Sequence, residues 1–393
     1  MQISRRLSSI KPSLTLSVNS RALELKARGI AVTSLAVGEP DFPTPPHICA
    51  AAKAAIDENF CRYTEVSGIP ALRKAAGDYF EKNYGVAVPG EAIAIGAGGK
   101  HCLYNFLQAT IDPDDEVLIP APCWVSYPDM VLLAGGVPVE VPAGAEAGFK
   151  VTPAMLEARF TPKTRLLVLN SPSNPTGVVY GREEFTAIMD WAMERGIFVL
   201  SDEIYDQLVF APAVMTSAIE WFSRYPRQVA VLNGLSKSFA MTGWRVGFLA
   251  AHPDLVKHIA GMQGHSTSSI CSISQRAALA ALTGPMQPVE EMRAAFARRR
   301  DAALAIIREW PFAVCPKPDG AFYLFPDVRA CYGKTCRNST ELCTLLLDEA
   351  RVAVVPGAAF GDDNCIRISY AVADAALTQG LERMGHVLGR LAS

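Results

Sequence analysis

The chain has 393 residues, half of them hydrophobic (50%) and 19% charged, a globular balance too apolar for a disordered protein. Its 37 Lys and Arg against 39 Asp and Glu give a formal net charge of −2, which excludes a strongly basic nucleic-acid binder and an acidic solvating chain. Any charge that matters must be local, and at roughly 100–200 residues per domain the length predicts two domains, or one large domain with an appendage.

The first segment, MQISRRLSSIKPSLTLSV, is basic but lacks the apolar core of a signal peptide. No stretch reaches the roughly 18 uninterrupted apolar residues of a membrane span, so cytoplasm is the expected compartment. Ile95–Lys100 (IGAGGK) precedes a helical pattern, and its glycines could bring backbone N–H groups close to a phosphate. It is not a Walker A loop, because Ala94 stands at the required first Gly, and it does not fit G-x-G-x-x-G.

Four short apolar runs follow: Glu116–Pro120 (EVLIP), Arg165–Leu169 (RLLVL), Ile197–Ser201 (IFVLS) and Gln228–Leu232 (QVAVL). Helical patterns such as Glu183–Arg195 lie between them, which predicts a parallel sheet covered on both faces. From about Pro285 the pattern changes to a long charged helix (Val289–Trp310), Gly320–Pro326 (GAFYLFP), another helix, Val352–Pro356 and Cys365–Tyr370. That is an α+β order and predicts a second, smaller domain. There is no internal repeat. The 10 cysteines are scattered, with no C-x-x-C pair and no histidine near Cys331 and Cys336, as expected of reduced, mostly buried thiols.

In parallel α/β sheets, ligands bind at the carboxyl ends of strands. After Arg165–Leu169 comes Asn170–Gly177 (NSPSNPTG), a tight loop presenting Asn174, or an ordinary turn. After Ile197–Ser201 comes Asp202–Tyr205 (DEIY). An acid there is costly unless paired and would suit a cationic ring nitrogen, or it simply caps a helix. After Gln228–Leu232 comes Asn233–Arg245 (NGLSKSFAMTGWR). Lys237 sits among small and apolar residues where an amine can lose its proton and act as a nucleophile; the plain alternative is a solvated lysine. Arg245 follows across a turn containing Gly243. In CIRISY, an inward-facing Arg367 would need an anion, for which a carboxylate held by two hydrogen bonds fits; otherwise it is an exposed strand arginine. Together these make a reactive lysine, a ring-nitrogen acid, phosphate ligands and a carboxylate clamp. Pyridoxal 5′-phosphate (PLP) chemistry on amino acids needs that set.

Through SRRLSSIKPS, GEPDFPTP, RYTEVSGIPALR, APCWVSYP, NSPSNPTG, SDEIYD, NGLSKSFAMTGWR, GAFYLF, VVPGAAFG and IRISYA, the chain resembles the class I aminotransferases of PLP fold type I. It is most similar to the gamma-subgroup aspartate aminotransferases, some of which accept prephenate. The resemblance runs from about Ser4 to the C-terminus. It implies an α/β fold: a mostly parallel seven-stranded sheet in a large PLP-binding domain sandwiched by helices, plus a smaller α+β domain. Residues 1–45 would form an N-terminal arm and part of the small domain, 46–288 the large domain and 289–393 the small C-terminal domain.

For the site, the resemblance implies that Lys237 carries PLP covalently and moves the substrate proton. Asp202 would pair with the ring nitrogen, Asn174 and Tyr205 with the ring hydroxyl, and Trp124 would stack on the ring. Gly98, Gly99, Lys100, Ser236 and Arg245 would hold the phosphate. Tyr63 would reach the phosphate of the partner subunit, which implies an obligate homodimer with shared sites. Arg367 would clamp the α-carboxylate with help from Gly38, and Trp124 and Asn174 would also face the substrate. Lys100 and Thr15 stand where this subgroup binds a distal carboxylate or prephenate. No metal is expected. The chain departs from its relatives at Cys123, where an aromatic residue is usual, at His101, where Gln is common, and at Gly234, where other subgroups carry Ser. Cys123 and His101 are expected near the substrate pocket.

The implied activity is ping-pong transamination, aspartate with 2-oxoglutarate. The rivals are prephenate, aromatic or methionine specificity, a PLP-dependent β-lyase or cyclopropane-forming synthase, and a non-catalytic PLP-binding regulator. A regulator would need a DNA-binding extension, and the aminotransferase-like region begins almost at Met1.

Overall fold

The Val-, Ile- and Leu-rich runs pair edge to edge in a computed structural model that describes Ser4, Leu7, Ile10 and residues 14–392. In chain order the first strands are β1 (Thr33–Ser34), β2 (Ile93–Gly96), β3 (Glu116–Ala121) and β4 (Val137–Pro142). There follow β5 (Thr164–Asn170), β6 (Phe198–Asp202), β7 (Val229–Gly234) and β8 (Gly247–Ala250). A seven-stranded sheet runs β2-β8-β7-β6-β5-β3-β4. The pairs β3–β4, β3–β5, β5–β6 and β6–β7 are parallel, and β8 is antiparallel to both its neighbours.

Side chains alternate across this sheet, so each strand feeds two cores. Leu167, Leu169, Val199 and Val231 pack in one apolar cluster with the helices Pro70–Tyr84 and Arg182–Glu194. Leu166, Val168, Leu200 and Ala230 pack in another with the helix Gly99–Thr110. Both faces are therefore covered, which is why the strands read as continuous apolar runs. The helix placed at Glu183–Arg195 from the sequence begins one residue earlier. The Glu184 carboxylate reaches back to accept from the Gly181 N–H at 2.7 Å and fixes that start.

Beyond the sheet, β9 (Tyr323–Leu324), β10 (Val352–Ala353), β11 (Val355–Pro356) and β12 (Ile366–Ser369) are short. The single run expected at Val352–Pro356 is two strands because the chain changes partners: β10 pairs in parallel with β1, and β11 pairs with β12 in the order β11-β12-β9. The Ser369 N–H donates to Leu35 O at 2.7 Å and so ties the early segment to β12. Leu35, Phe296, Val352, Ile366, Ile368 and Leu381 share one core, covered by the helices Gln287–Arg308 and Asp374–Ala392. Among the described residues no helix is long and apolar enough to cross a membrane. All ten cysteines are free thiols.

Candidate active site

The carboxyl ends of the parallel strands open onto a cavity of about 510 Å³. One end of it is built for an anion. Gly98 has φ +86°, and a Cβ there would lie 2.5 Å from Arg245 Nη2, so only glycine lets the guanidinium close over the start of the helix Gly99–Thr110. Arg245 is held there by hydrogen bonds from Nη1 to Thr242 O (3.0 Å) and from Nη2 to Ala97 O (3.3 Å). Gly99 and Lys100, the first residues of that helix, line the same cavity, and the partial positive charge of the helix N-terminus adds to that of Arg245. Lys100, in that first turn, lies with Nζ 4.7 Å from the centroid of the Trp124 ring. Burial, and then the Arg245 charge, lower its pKa.

The floor carries an acid. Asp202 ends β6 and is 4% exposed. Its Oδ2 accepts from Tyr127 OH at 2.7 Å and its Oδ1 from the Ile204 N–H at 3.2 Å. Burial pushes the carboxyl up to about 6, against the pull of the Tyr127 hydroxyl, the Ile204 N–H and the charge of Lys237. Asn170 anchors the neighbouring loop: Nδ2 donates to Asp202 O at 2.9 Å, and Oδ1 accepts from the Asn174 N–H at 2.8 Å.

Lys237 lies in the one-turn helix Leu235–Ser238 just beyond β7, and its Nζ donates to Gly38 O. Burial lowers its pKa to about 8; Glu39 opposes that shift and Arg367 adds to it. A free amine therefore lies within reach of neutral pH. Tyr205 OH is 2.9 Å from Tyr323 OH.

The far wall holds a buried cation. Arg367, 5% exposed, donates from Nη1 to Asn174 Oδ1 (3.0 Å) and from Nη2 to Ala36 O (2.8 Å), while its Nε has no partner. Its guanidinium stands 4.5 Å from the centroid of the Tyr323 ring and 5.0 Å from that of Phe360. Burial lowers its pKa. A buried arginine with neutral partners and a spare donor calls for an anion.

Gly38, Gly99, Lys100, Trp124, Asn174, Asp202, Tyr205, Ser236, Lys237, Arg245 and Arg367 all line this cavity. Gly98 lies behind it against Arg245. Tyr63 does not line it: the ring is 92% exposed on the surface. Thr15 falls in the helix Leu14–Ala27, and its side chain lies outside the described residues. Cys123 and His101 were expected near the substrate pocket, but neither lines the cavity. Cys123 is buried in the core, and His101 Nδ1 turns back to accept from the Ala97 N–H at 3.1 Å. At Gly234 a Cβ would lie 2.8 Å from Ile204 Cδ1 and 3.2 Å from Gly247 Cα, so the closeness of β7 and β8 explains the glycine. The sequence reading missed Tyr127, Thr242, Tyr323 and Phe360, which also line the cavity. Tyr127 had a signal, a phenol just after Trp124 at a strand's carboxyl end.

The family model for class I and II aminotransferases matches residues 30–384. The chain is 46% identical over 389 residues to an aspartate/prephenate aminotransferase of Cereibacter sphaeroides, covering 97% of each. It is 42% identical over 385 residues to an aspartate aminotransferase of Geobacillus stearothermophilus, covering 98% of each. Its fold is similar to that of the aspartate aminotransferase of Rhizobium meliloti, with a TM-score of 0.95 at 37% identity over 99% of both chains. The structure of the Thermus thermophilus aspartate aminotransferase with maleate matches with a TM-score of 0.93 at 38% identity, over 98% of this chain and 100% of that one.

Proposed function

The chain belongs to the class I and II aminotransferases, and we propose that it moves the amino group of aspartate to 2-oxoglutarate on PLP attached to Lys237. The observation that carries this reading is the convergence of Lys237, Asp202, Arg245 and Arg367 on one cavity. The residues present fit the cofactor. The glycine cradle under Arg245 suits a phosphate, the buried Asp202 carboxylate suits a protonated ring nitrogen, and Tyr205 and Asn174 can meet a ring hydroxyl. Trp124 offers a ring face at the cavity wall, and Ser236 a further hydroxyl.

PLP, when bound, withdraws electrons from the substrate Cα and so makes its proton removable. This chain's residues do the rest. Arg367 holds the α-carboxylate through its spare donor, with Gly38 beside it. Asp202 keeps the ring nitrogen protonated. Lys237, once its amine is free, takes the proton from Cα as a general base and returns it on the other side of the exchange. The 2-oxo acid leaves before the second one enters, which gives ping-pong kinetics. Lys100 supplies a cation for the distal carboxylate, and Thr15 assists from the N-terminal segment.

The resemblance also supports a homodimer, in which the exposed Tyr63 reaches the phosphate of the other subunit's site, and a cytoplasmic enzyme. It supports the division into 1–45, 46–288 and 289–393 as well; the pairing of β1 with β10 agrees with an N-terminal segment that belongs with the C-terminal part. Prephenate as amino acceptor is the second reading, favoured by the relative named for both substrates.

The experiment is a panel of amino donors with 2-oxoglutarate, and prephenate as acceptor with glutamate or aspartate as donor. Aspartate with 2-oxoglutarate is expected to have the highest kcat/KM. An apolar or aromatic donor ahead of it would overturn the assignment, and rapid turnover of prephenate would establish the second reading.

A further inference from the structure

Tyr127 is 2% exposed and lies in the first turn of the helix Ser126–Ala134, just beyond β3. Its hydroxyl donates to Asp202 Oδ2 at 2.7 Å, across 75 positions of sequence. Its ring meets Trp124 edge to face, with centroids 5.3 Å apart and planes at 84°. One phenol thus touches both the floor acid and the aromatic wall of the cavity. We propose that Tyr127 is a positioning residue: its hydroxyl keeps the Asp202 carboxylate ionised and turned so that its remaining lone pairs face the cavity. This rests on the reading that Asp202 faces the cofactor's ring nitrogen.

A carboxylate buried without donors becomes a stronger proton acceptor, because its charge is poorly solvated. Here Oδ1 has the Ile204 N–H and Oδ2 has Tyr127. Burial and the nearby Asp202 charge raise the phenol's own pKa, so it remains a donor throughout the working pH range. The other ionisable groups around the pair are Cys123, Tyr205 and Lys237. Without the hydroxyl, Asp202 Oδ2 loses its donor, and Asp202 competes for the proton it should leave on the ring nitrogen. A proton held by Asp202 is one the cofactor cannot use to draw electrons from Cα.

The test uses holoenzyme loaded with PLP labelled with nitrogen-15 in the ring, whose resonance reports directly whether that nitrogen carries a proton. In the parent the signal should be that of the protonated ring. In Tyr127→Phe it should move toward that of the neutral pyridine. A hydrogen bond to a charged group corresponds to roughly a ten- to hundredfold effect, so kcat should fall by that order while KM changes little. A 4-aminophenylalanine at position 127, which keeps the ring and a weaker donor, should fall between the two. A nitrogen signal unchanged from the parent in whichever of these variants folds overturns the proposal. Asp202→Asn separates the two readings: if it too keeps the parent signal, Asp202 does not face the ring nitrogen and the site reading fails. If Asp202→Asn loses the proton while the Tyr127 variants keep it, only the role of Tyr127 fails.

Discussion

Asn174 Oδ1 accepts a 3.0 Å hydrogen bond from Arg367 Nη1, so the loop after β5 aims a buried cation carried by β12. Arg367 Nε remains without a partner. Replacing Arg367 with Gln should lower kcat/KM for every amino acid by an amount equivalent to about 2–5 kcal/mol, since the substrate carboxylate is left without its buried counter-charge. Asn174→Ala should cost less, because the guanidinium keeps Ala36 O. Steady-state kinetics with aspartate and alanine will check this. A loss confined to dicarboxylates would mean that Arg367 reads the distal carboxylate.

Lys237 is expected to hold PLP as a borohydride-fixable adduct, and Lys237→Ala to lose it. Peptide mapping that finds the adduct on another lysine would sink the assignment. The pH dependence follows from burial, which sets this amine at about 8, below the ordinary lysine value. Protonated amine predominates below that pH and free amine above it. Capture of PLP by the apoenzyme should therefore quicken roughly tenfold per pH unit up to about 8 and then level off, because only the free amine attacks.

Lys100 bears on specificity. Its Nζ lies over the Trp124 ring, and both residues line the cavity. Lys100→Ala should reduce kcat/KM for aspartate roughly ten- to hundredfold more than for alanine, the scale of one charged hydrogen bond. Equal losses for the two donors would show that Lys100 serves the phosphate end alone.

Glu203 provides a stability test outside the cavity. It is fully buried and accepts from Ser201 Oγ (2.8 Å), Ser217 Oγ (2.5 Å) and the Ala218 N–H (2.8 Å). Burial raises its carboxyl to about 8. The folded state then holds this proton more tightly than the unfolded chain does. The stabilisation is complete below the ordinary carboxyl pKa and is lost as pH rises through about 8. Glu203→Gln should flatten the fall in Tm between pH 5 and 8, whereas Glu203→Ala should cost about 1–3 kcal/mol even at pH 5 by leaving buried donors unsatisfied. A fall in Tm as steep in Glu203→Gln as in the parent would exclude Glu203 as its source.

What could be read from the sequence divides along a physical line. The parallel sheet was legible because strands buried on both faces are apolar throughout, and the place of Lys237, Asp202 and Asn174 on a cavity because such sheets open at their strand ends. Arg367 needed the resemblance, since an arginine on a strand does not reveal whether it faces in. Tyr127 and Tyr323 act through partners more than seventy positions away, and no local pattern encodes that pairing. Gly38 contributes a carbonyl, which side-chain chemistry cannot announce. The split at Val352–Pro356 was hidden because one apolar run served two sheets. Cys123 and His101 stand beside Trp124 and Lys100 in sequence yet do not line the cavity: Cys123 packs into the core, and His101 Nδ1 accepts from the Ala97 N–H.

The pairing of Thr33 with Val352, and of the Ser369 N–H with Leu35 O, has a consequence for how the chain is made. During synthesis β2 to β8 can assemble as they emerge, and Lys237 with them. The early segment around Leu35 must wait, its backbone and apolar side chains without their partners, until nearly the whole polypeptide has left the ribosome. Arg367 arrives last of the cavity's charged residues. The nascent protein therefore has Lys237 in place well before Arg367 can join it at the cavity, and the long-range pairing that brings them together should be a late and slow step in folding.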